Sequence, residues 1–400
     1  MERFETIVLG LGALGSAAAY QLAKRGHSVL GLDRFSPPHP YGSTHGDTRI
    51  TRLAIGEGVE YTPLALRSHQ LWRQIERETG KDLLNCCGGL IISSSGEVGH
   101  SRVKGFYKNT VGAAQRYGIA HELLGTGEIK RRFPQFNVRP DEFAYYEKEA
   151  GFLRVEDCVA TNLLLARKSG AAIRTDEKVE TFEASATGVT VVTAKDTYRA
   201  DTLLIAAGSW LPKLIPAEYA KIFSVTRQVL YWFEIARDHE AFAPGRFPVF
   251  IWELKDQAQG VYGFPAVDGP AGGLKVASEQ THQTSDPDAV DRTVTDADAR
   301  AMYRDYVEPF LPAVSPRCLK TATCLYTVTP GARFVLDRQP DSARVIIGSA
   351  CSGHGFKHSA ALGEALAQWI IDGASEIDLS PFSLAALRGT AARVQREAIA

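Results

Sequence analysis

The chain has 400 residues, 45 Lys and Arg against 46 Asp and Glu, a formal net charge of −1 and 44% apolar residues. So even a balance excludes a basic field for nucleic acid or an anionic membrane, and no apolar run reaches the roughly 18 residues that span a bilayer. The cysteines (Cys86, Cys87, Cys158, Cys318, Cys324, Cys351) are scattered, without the spacing of a disulfide scaffold or a zinc site, so no metal is expected; the length favours two domains.

The first element is the most informative. Thr6 to Leu9 is an apolar run leading into Gly10, Gly12 and Gly15. A helical stretch follows with apolar Leu14, Ala17, Ala18, Leu22 and Ala23, and a second apolar run, Ser28 to Leu32, ends in Asp33. Strand, glycine turn, helix, strand and acid form a dinucleotide-binding signature. Gly10 permits the turn, Gly12 admits a pyrophosphate, and Gly15 brings the helix close to the sheet. The helix N-terminus offers unpaired N–H groups to phosphate. Asp33 can accept from a ribose hydroxyl and would repel the extra phosphate of NADP. The motif leaves FAD and NAD open, because both carry an ADP half. The same glycines interrupt any apolar leader, so a cytoplasmic protein is expected.

A polar, glycine-rich loop covers Ser36 to Asp47. Residues 61–80 read as an amphipathic helix and 88–93 as a strand. Residues 106–133 read as mostly helical, and 156–168 as a helix. Short strands are expected at 172–174, 188–193 and 197–200, with a buried one from Asp201 into Ala206-Ala207-Gly208. Residues 225–280 change character, with β-branched and aromatic runs that predict an antiparallel sheet with one wet face. Residues 296–310 read as a helix, 345–349 as a buried strand, and about 357–371 as a helix. The fold class is therefore α/β with an α+β second domain. A Rossmann-like nucleotide domain (1–83, 149–216, 331–400) is expected to interleave with an antiparallel-sheet substrate domain (84–148, 217–330).

Several segments carry a closer likeness: GSTHGDTRITR at 42–52, YTPLALRS at 61–68, GFP at 263–265, GLK at 273–275, CLYTVTP at 324–330 and SGHGFKHS at 352–359. With them, nearly the whole chain resembles the monomeric sarcosine oxidase and N-methyltryptophan oxidase family of D-amino-acid-oxidase-like flavoproteins. The resemblance implies covalent FAD and oxidation of secondary amino acids (N-methyl, N-alkyl or cyclic) at the expense of O2, yielding hydrogen peroxide. The near-zero net charge and the absence of heptads fit a monomer.

Residue by residue, the resemblance implies that Arg52 and Lys357 grip the substrate carboxylate. Arg49 lies against the flavin ring, with His45 nearby. Lys275 contacts the flavin through water and speeds reaction with oxygen. Tyr262 and Tyr326 line the substrate cavity. Cys324 carries the flavin. Gly353, Gly355 and Phe356 approach its pyrimidine end. Read without the resemblance, Arg49 and Arg52 are surface arginines, Lys275 is an outward-facing strand lysine, Cys324 is a buried hydrophobe and the tyrosines are core aromatics. Glu279 departs from the family pattern, which has a histidine there. It either selects a substrate with a distal cation or hydroxyls, such as a glycated amino acid, or pairs with a nearby base. A dehydrogenase with another acceptor and a fructosyl-amino-acid oxidase remain as alternatives.

Overall fold

In the computed structural model, residues 1–95, 103–255, 257, 259–280 and 283–389 are described. They form two eight-stranded sheets and a small three-stranded one.

The first sheet is built on the glycine-turn unit. Glu2–Leu9 lies parallel to Val29–Leu32 on one side and to Thr197–Ile205 on the other, and Ser342–Ser349 and Ala172–Arg174 extend the parallel run. The hairpin Val179–Ser185/Gly188–Thr193 and the strand Val335–Gln339 add antiparallel edges. Both faces are covered, so neighbouring residues enter different cores. Val8, Leu204 and Ile346 pack with the helices Ala13–Lys24, Thr62–Thr79, Val155–Lys168 and Ser359–Asp372, whereas Ile7, Leu203 and Ile347 pack on the opposite face. Small residues let the first and last of these helices touch. A Cβ on Gly363 would lie 2.6 Å from Ala17.

The second sheet joins distant segments. Ser224–Ile235 pairs antiparallel with Val314–Val328, placing Gln228 opposite Cys324, and with Leu274–Ser278 on its other edge. Val261–Gly263 follows, with Tyr262 opposite Ala277, and then Val249–Trp252. Gly89–Ser94 joins parallel to Val249–Trp252, and Glu142–Glu147 and Glu122–Gly125 complete the sheet antiparallel. The side-chain period of two sends Val229, Tyr231, Phe233, Leu274 and Val276 to one core and Leu230, Trp232, Ala277, Cys324 and Tyr326 to the other.

The architecture is the expected mixture of a parallel α/β sheet and a largely antiparallel second sheet, with four local corrections. The anticipated wet face is buried, because Met302 of the helix Asp296–Tyr306 and the following Phe310 and Leu311 cover it. Residues 106–133 are two helices, Phe106–Arg116 and Thr126–Arg132, separated by the strand Glu122–Gly125. The runs at 197–200 and 201–208 are one strand, Thr197–Ile205. Lys357 lies in a 3-10 turn, Phe356–His358, before the final helix begins at Ser359. No described helix is long and apolar enough to cross a membrane. The end of the 331–400 segment, from residue 390, lies outside the described residues.

Candidate active site

A cavity of about 460 Å³ runs between the two large sheets, from Gly10, Gly12 and Asp33 at one end to Arg52, Tyr262, Glu279, Tyr326 and Lys357 at the other. The nucleotide end is shaped by backbone. Gly10 has φ +91°, and a Cβ there would lie 2.6 Å from the Ala206 carbonyl oxygen. A Cβ on Gly15 would fall 1.7 Å from the Gly10 oxygen, so the helix Ala13–Lys24 seats directly on the turn. Its N-cap, Gly12, brings no side chain to the N-terminal N–H groups. Asp33 is buried and accepts from the N–H groups of Leu11 (2.8 Å) and Phe35 (2.9 Å). Burial raises its pKa, and those two donors oppose the rise.

Arg49 lines the cavity, whereas Lys275 and His45 are buried in the protein without lining it. His45 precedes the strand Thr48–Thr51 of the three-stranded sheet, Arg49 lies within it and Arg52 follows it directly. Arg49 donates to the carbonyl oxygens of Thr48 and Ser43, both at 2.8 Å. His45 is buried, and its Nε2 has no hydrogen-bond partner among the described residues. Burial, then Arg49, pushes its pKa down to about 3, so it is neutral across the physiological range. Lys275 arrives from the opposite sheet and is 1% exposed. Its Nζ donates to Gly46 O (2.6 Å), Thr48 O (2.8 Å) and Thr48 Oγ1 (3.2 Å). The ring of Phe264 lies 4.4 Å away and that of Trp232 5.4 Å. Lys275 therefore points inward. Burial, then Arg49, holds its pKa well below the usual lysine value.

Arg52 and Lys357 converge as expected, but not on open space. Glu57 stands between them, with Oε2 2.5 Å from Arg52 Nη2 and Oε1 3.6 Å from Lys357 Nζ. Arg52 also donates to the Ala54 carbonyl and lies 5.0 Å from the Phe106 ring centre. Lys357 donates to His354 O at 2.7 Å. Burial alone would raise the pKa of Glu57, but Arg52 and Lys357 hold it well below the carboxylate range. The same burial pushes Lys357 down to about 8, opposed by Glu57.

Along the sheet face, Tyr262 and Tyr326 meet through their hydroxyls at 3.4 Å. Burial pushes Tyr262 up to about 12. Glu279, four residues after Lys275 and on the same face, lines the cavity together with Glu253. Cys324 is wholly buried in the patch with Leu230, Trp232, Ala277 and Tyr326, and burial raises its thiol pKa. A second thiol, Cys351, lines the cavity and accepts from Thr327 N at 3.4 Å. Gly353, Gly355 and Phe356 border the cavity between that thiol and Lys357.

Sequence reasoning missed Glu57, Thr48 and Cys351. Glu57 and Thr48 lie within five residues of Arg52, yet nothing in their spacing tells which cation they meet. Cys351 directly precedes a quoted motif, but a lone cysteine carries no signal of cavity lining.

A family model described as FAD dependent oxidoreductase matches residues 5–369. The chain is 40% identical over 373 residues to monomeric sarcosine oxidase of Streptomyces avermitilis, covering 92% of this chain and 94% of that protein. It is 35% identical over 389 residues to N-methyl-L-tryptophan oxidase of Yersinia pestis, covering 96% and 100%. In solved structures, NikD, an amino acid oxidase of nikkomycin biosynthesis, superposes with a TM-score of 0.80 at 24% identity over 96% of this chain and 98% of that one. L-proline dehydrogenase from P. horikoshii superposes with 0.79 at 20% identity over 96% and 97%; both likenesses concern the fold.

Proposed function

The chain belongs to the FAD dependent oxidoreductase family, beside monomeric sarcosine oxidase and N-methyl-L-tryptophan oxidase, and we propose that it is the flavin oxidase that this kinship and its cavity together describe. It oxidises the CH–NH bond of secondary amino acids to an imine, which hydrolyses in water. In this reading the segments 1–83, 149–216 and 331–400 hold the nucleotide, and 84–148 and 217–330 form the substrate side.

The protein fits FAD on its own geometry. The uncapped turn at Gly12 and the buried Asp33 both line one continuous cavity. Gly10, Gly12, Gly15 and Asp33 would hold the ADP half, and Gly353, Gly355 and Phe356 the pyrimidine end. Cys324 would hold the ring covalently as a thioether. FAD, when bound, accepts the hydride equivalent from the substrate and passes the electrons to O2, which leaves as hydrogen peroxide.

The residues of the chain bind, orient and polarise. The observation that carries this reading is the convergence of Arg52 and Lys357 on one carboxylate, that of Glu57. A site that already grips a side-chain carboxylate has the chemistry to grip a substrate's. Anchoring that end fixes the amine and its C–H relative to the tyrosine pair. Positioning of this kind supplies roughly 7–11 kcal/mol in favourable cases. Arg49, with its charge held beside the ring site, favours an anionic reduced cofactor. Lys275 would offer its ammonium where oxygen takes up electrons from the bound cofactor.

A second reading of the substrate rests on Glu279 and Glu253. Two carboxylates on the cavity wall favour a substrate whose N-substituent or side chain carries hydroxyls or a cation over sarcosine itself. The reaction class is tested by mixing purified protein anaerobically with sarcosine, proline, pipecolate, N-methyl aromatic and fructosyl amino acids. Bleaching of the yellow cofactor followed by stoichiometric peroxide on aeration is expected. A cofactor that stays oxidised with every member overturns the reading; bleaching without peroxide favours a dehydrogenase.

A further inference from the structure

The two innermost cations, Arg49 and Lys275, come from different sheets, yet both are held by the same few backbone carbonyls. Arg49 donates to Ser43 O and Thr48 O; Lys275 donates to Gly46 O and Thr48 O. Those carbonyls point correctly only because the chain turns sharply between them. Gly46 has φ +89° and Asp47 has φ +69°. The second value is unusual for a residue with a side chain, and such a conformation persists only where its surroundings enforce it.

One carboxylate holds both N–H groups of the turn. Glu156 Oε1 accepts from Gly46 N at 2.7 Å and from Asp47 N at 3.2 Å. Glu156 sits in the first turn of the helix Val155–Lys168, which begins directly after the strand Gly151–Arg154. That strand pairs with Thr48–Thr51, with Arg154 opposite Thr48. Val155 N donates to Asp47 O at 3.3 Å, closing the turn from its other side. A negative side chain is favourable at a helix N-terminus, so Glu156 is itself held in place.

We propose that Glu156 is a positioning residue for the flavin site: it pins the Gly46–Asp47 turn that presents the carbonyl acceptors of Arg49 and Lys275, and sets a negative charge behind them. The inference rests on the oxidase reading above for the role of Lys275. The charge on Lys275 is set by opposing neighbours. Burial and Arg49 disfavour it; Asp47, Cys324 and Glu156 favour it. Asp47 is drawn off to Lys320 at 2.9 Å, and the Cys324 thiol is pushed toward its neutral form by burial. Asp47, shared with Lys320, and Glu156 are thus the two carboxylates that oppose Arg49.

The test uses the holoprotein and needs no amino-acid substrate. Sulfite, an anion that adds to oxidised flavin, is titrated spectroscopically from pH 6 to 10 in the unsubstituted protein and in Glu156→Gln. Glutamine keeps an oxygen for Gly46 N and Asp47 N but removes the charge. The pH midpoint of sulfite affinity should move about one unit lower, as loss of a nearby opposite charge does. Reoxidation of the dithionite-reduced flavin by O2 should show the same shift. Asp157→Asn, one residue away and exposed, should leave both midpoints in place. Superposed profiles for E156Q and the unsubstituted protein overturn the proposal. Should E156Q not retain flavin, Glu156→Asp, whose carboxylate is drawn back from the turn, replaces it; an unmoved midpoint there also overturns it. Failure of the oxidase reading is recognised separately, as absence of flavin reduction by any secondary amino acid in the unsubstituted protein.

Discussion

Glu57 Oε2 lies 2.5 Å from Arg52 Nη2, an ion pair formed at the end of the cavity where the substrate's own carboxylate is expected. Glu57 occupies Nη2 of Arg52, one of the donors an incoming carboxylate would use, so substrate binding is expected to displace it. Glu57→Gln should therefore bind a simple carboxylate inhibitor roughly tenfold tighter, about 1.4 kcal/mol. It should also destabilise the fold by roughly 3 kcal/mol, because Arg52 and Lys357 lose their buried partner. Inhibitor titration and denaturant unfolding read the two effects. A variant that binds the inhibitor no better than the unsubstituted protein would show that Glu57 does not compete.

Lys357 supplies a pH signature. Burial, partly offset by Glu57, brings its pKa down from the usual 10.5 to about 8. The ammonium that grips a carboxylate is thus present below about pH 8 and lost above it. The dissociation constant of an amine-free thioether carboxylate should be flat at neutral pH and rise above 8. An inhibitor without an amine keeps the substrate's own titration out of the measurement. In Lys357→Met the inhibitor should bind weakly at every pH. A rise that persists in that variant would belong to another group.

Lys275→Met separates the two halves of turnover. Loss of one preorganised charge at a developing anion costs roughly 10²–10³-fold in rate. Flavin reoxidation by O2 should slow by that order, while anaerobic reduction changes only severalfold. Stopped-flow traces in which both half-reactions slow alike would reject the assignment.

Two thiols border the ring site, and they should behave differently. Cys324 is fully buried on the strand face beside Tyr326, whereas Cys351 is half-buried and lines the cavity. Acid precipitation of Cys324→Ala should release all its FAD into the supernatant. The unsubstituted protein and Cys351→Ala should keep theirs in the pellet. Retention in C324A and release in C351A would reverse the assignment.

Glu279→Gln tests selection by charge. The variant should lose about tenfold in kcat/KM for a secondary amino acid with a distal cation and retain its rate on sarcosine. Equal relative rates across neutral and cationic substrates would leave Glu279 without a part in specificity.

Local physics made much of this protein legible from its sequence. The glycine spacing at 10, 12 and 15 demands a tight turn, a bare helix terminus and a close helix, and these follow from backbone sterics alone. The apolar runs of the parallel sheet were readable for a related reason, because the ends of its strands that are buried on both faces, such as Ile7 to Leu9 and Leu203 to Ile205, are uninterrupted by polar residues. The segment at 106–133 was not readable. Its central strand, Glu122–Gly125, is mostly exposed at a sheet edge and has no distinctive period of its own. Nor was the buried second face of the sheet at 225–280, since its cover comes from residues 296–311, which local pattern does not connect to it.

Which charges meet was decided by the tertiary structure. Lys275, read alone, suits an outward strand position; it points inward because a loop some 230 residues away offers carbonyls there. Glu57 and Glu156 are ordinary acids in sequence. They acquire their partners because strand pairing brings Arg154 opposite Thr48 and a 3-10 turn swings Lys357 beside the Arg52 loop. Hydrophobic period is a property of neighbours along the chain and survives in the sequence. Electrostatic pairing depends on distances of a few ångströms between remote segments, and it exists only once the two sheets have closed on each other.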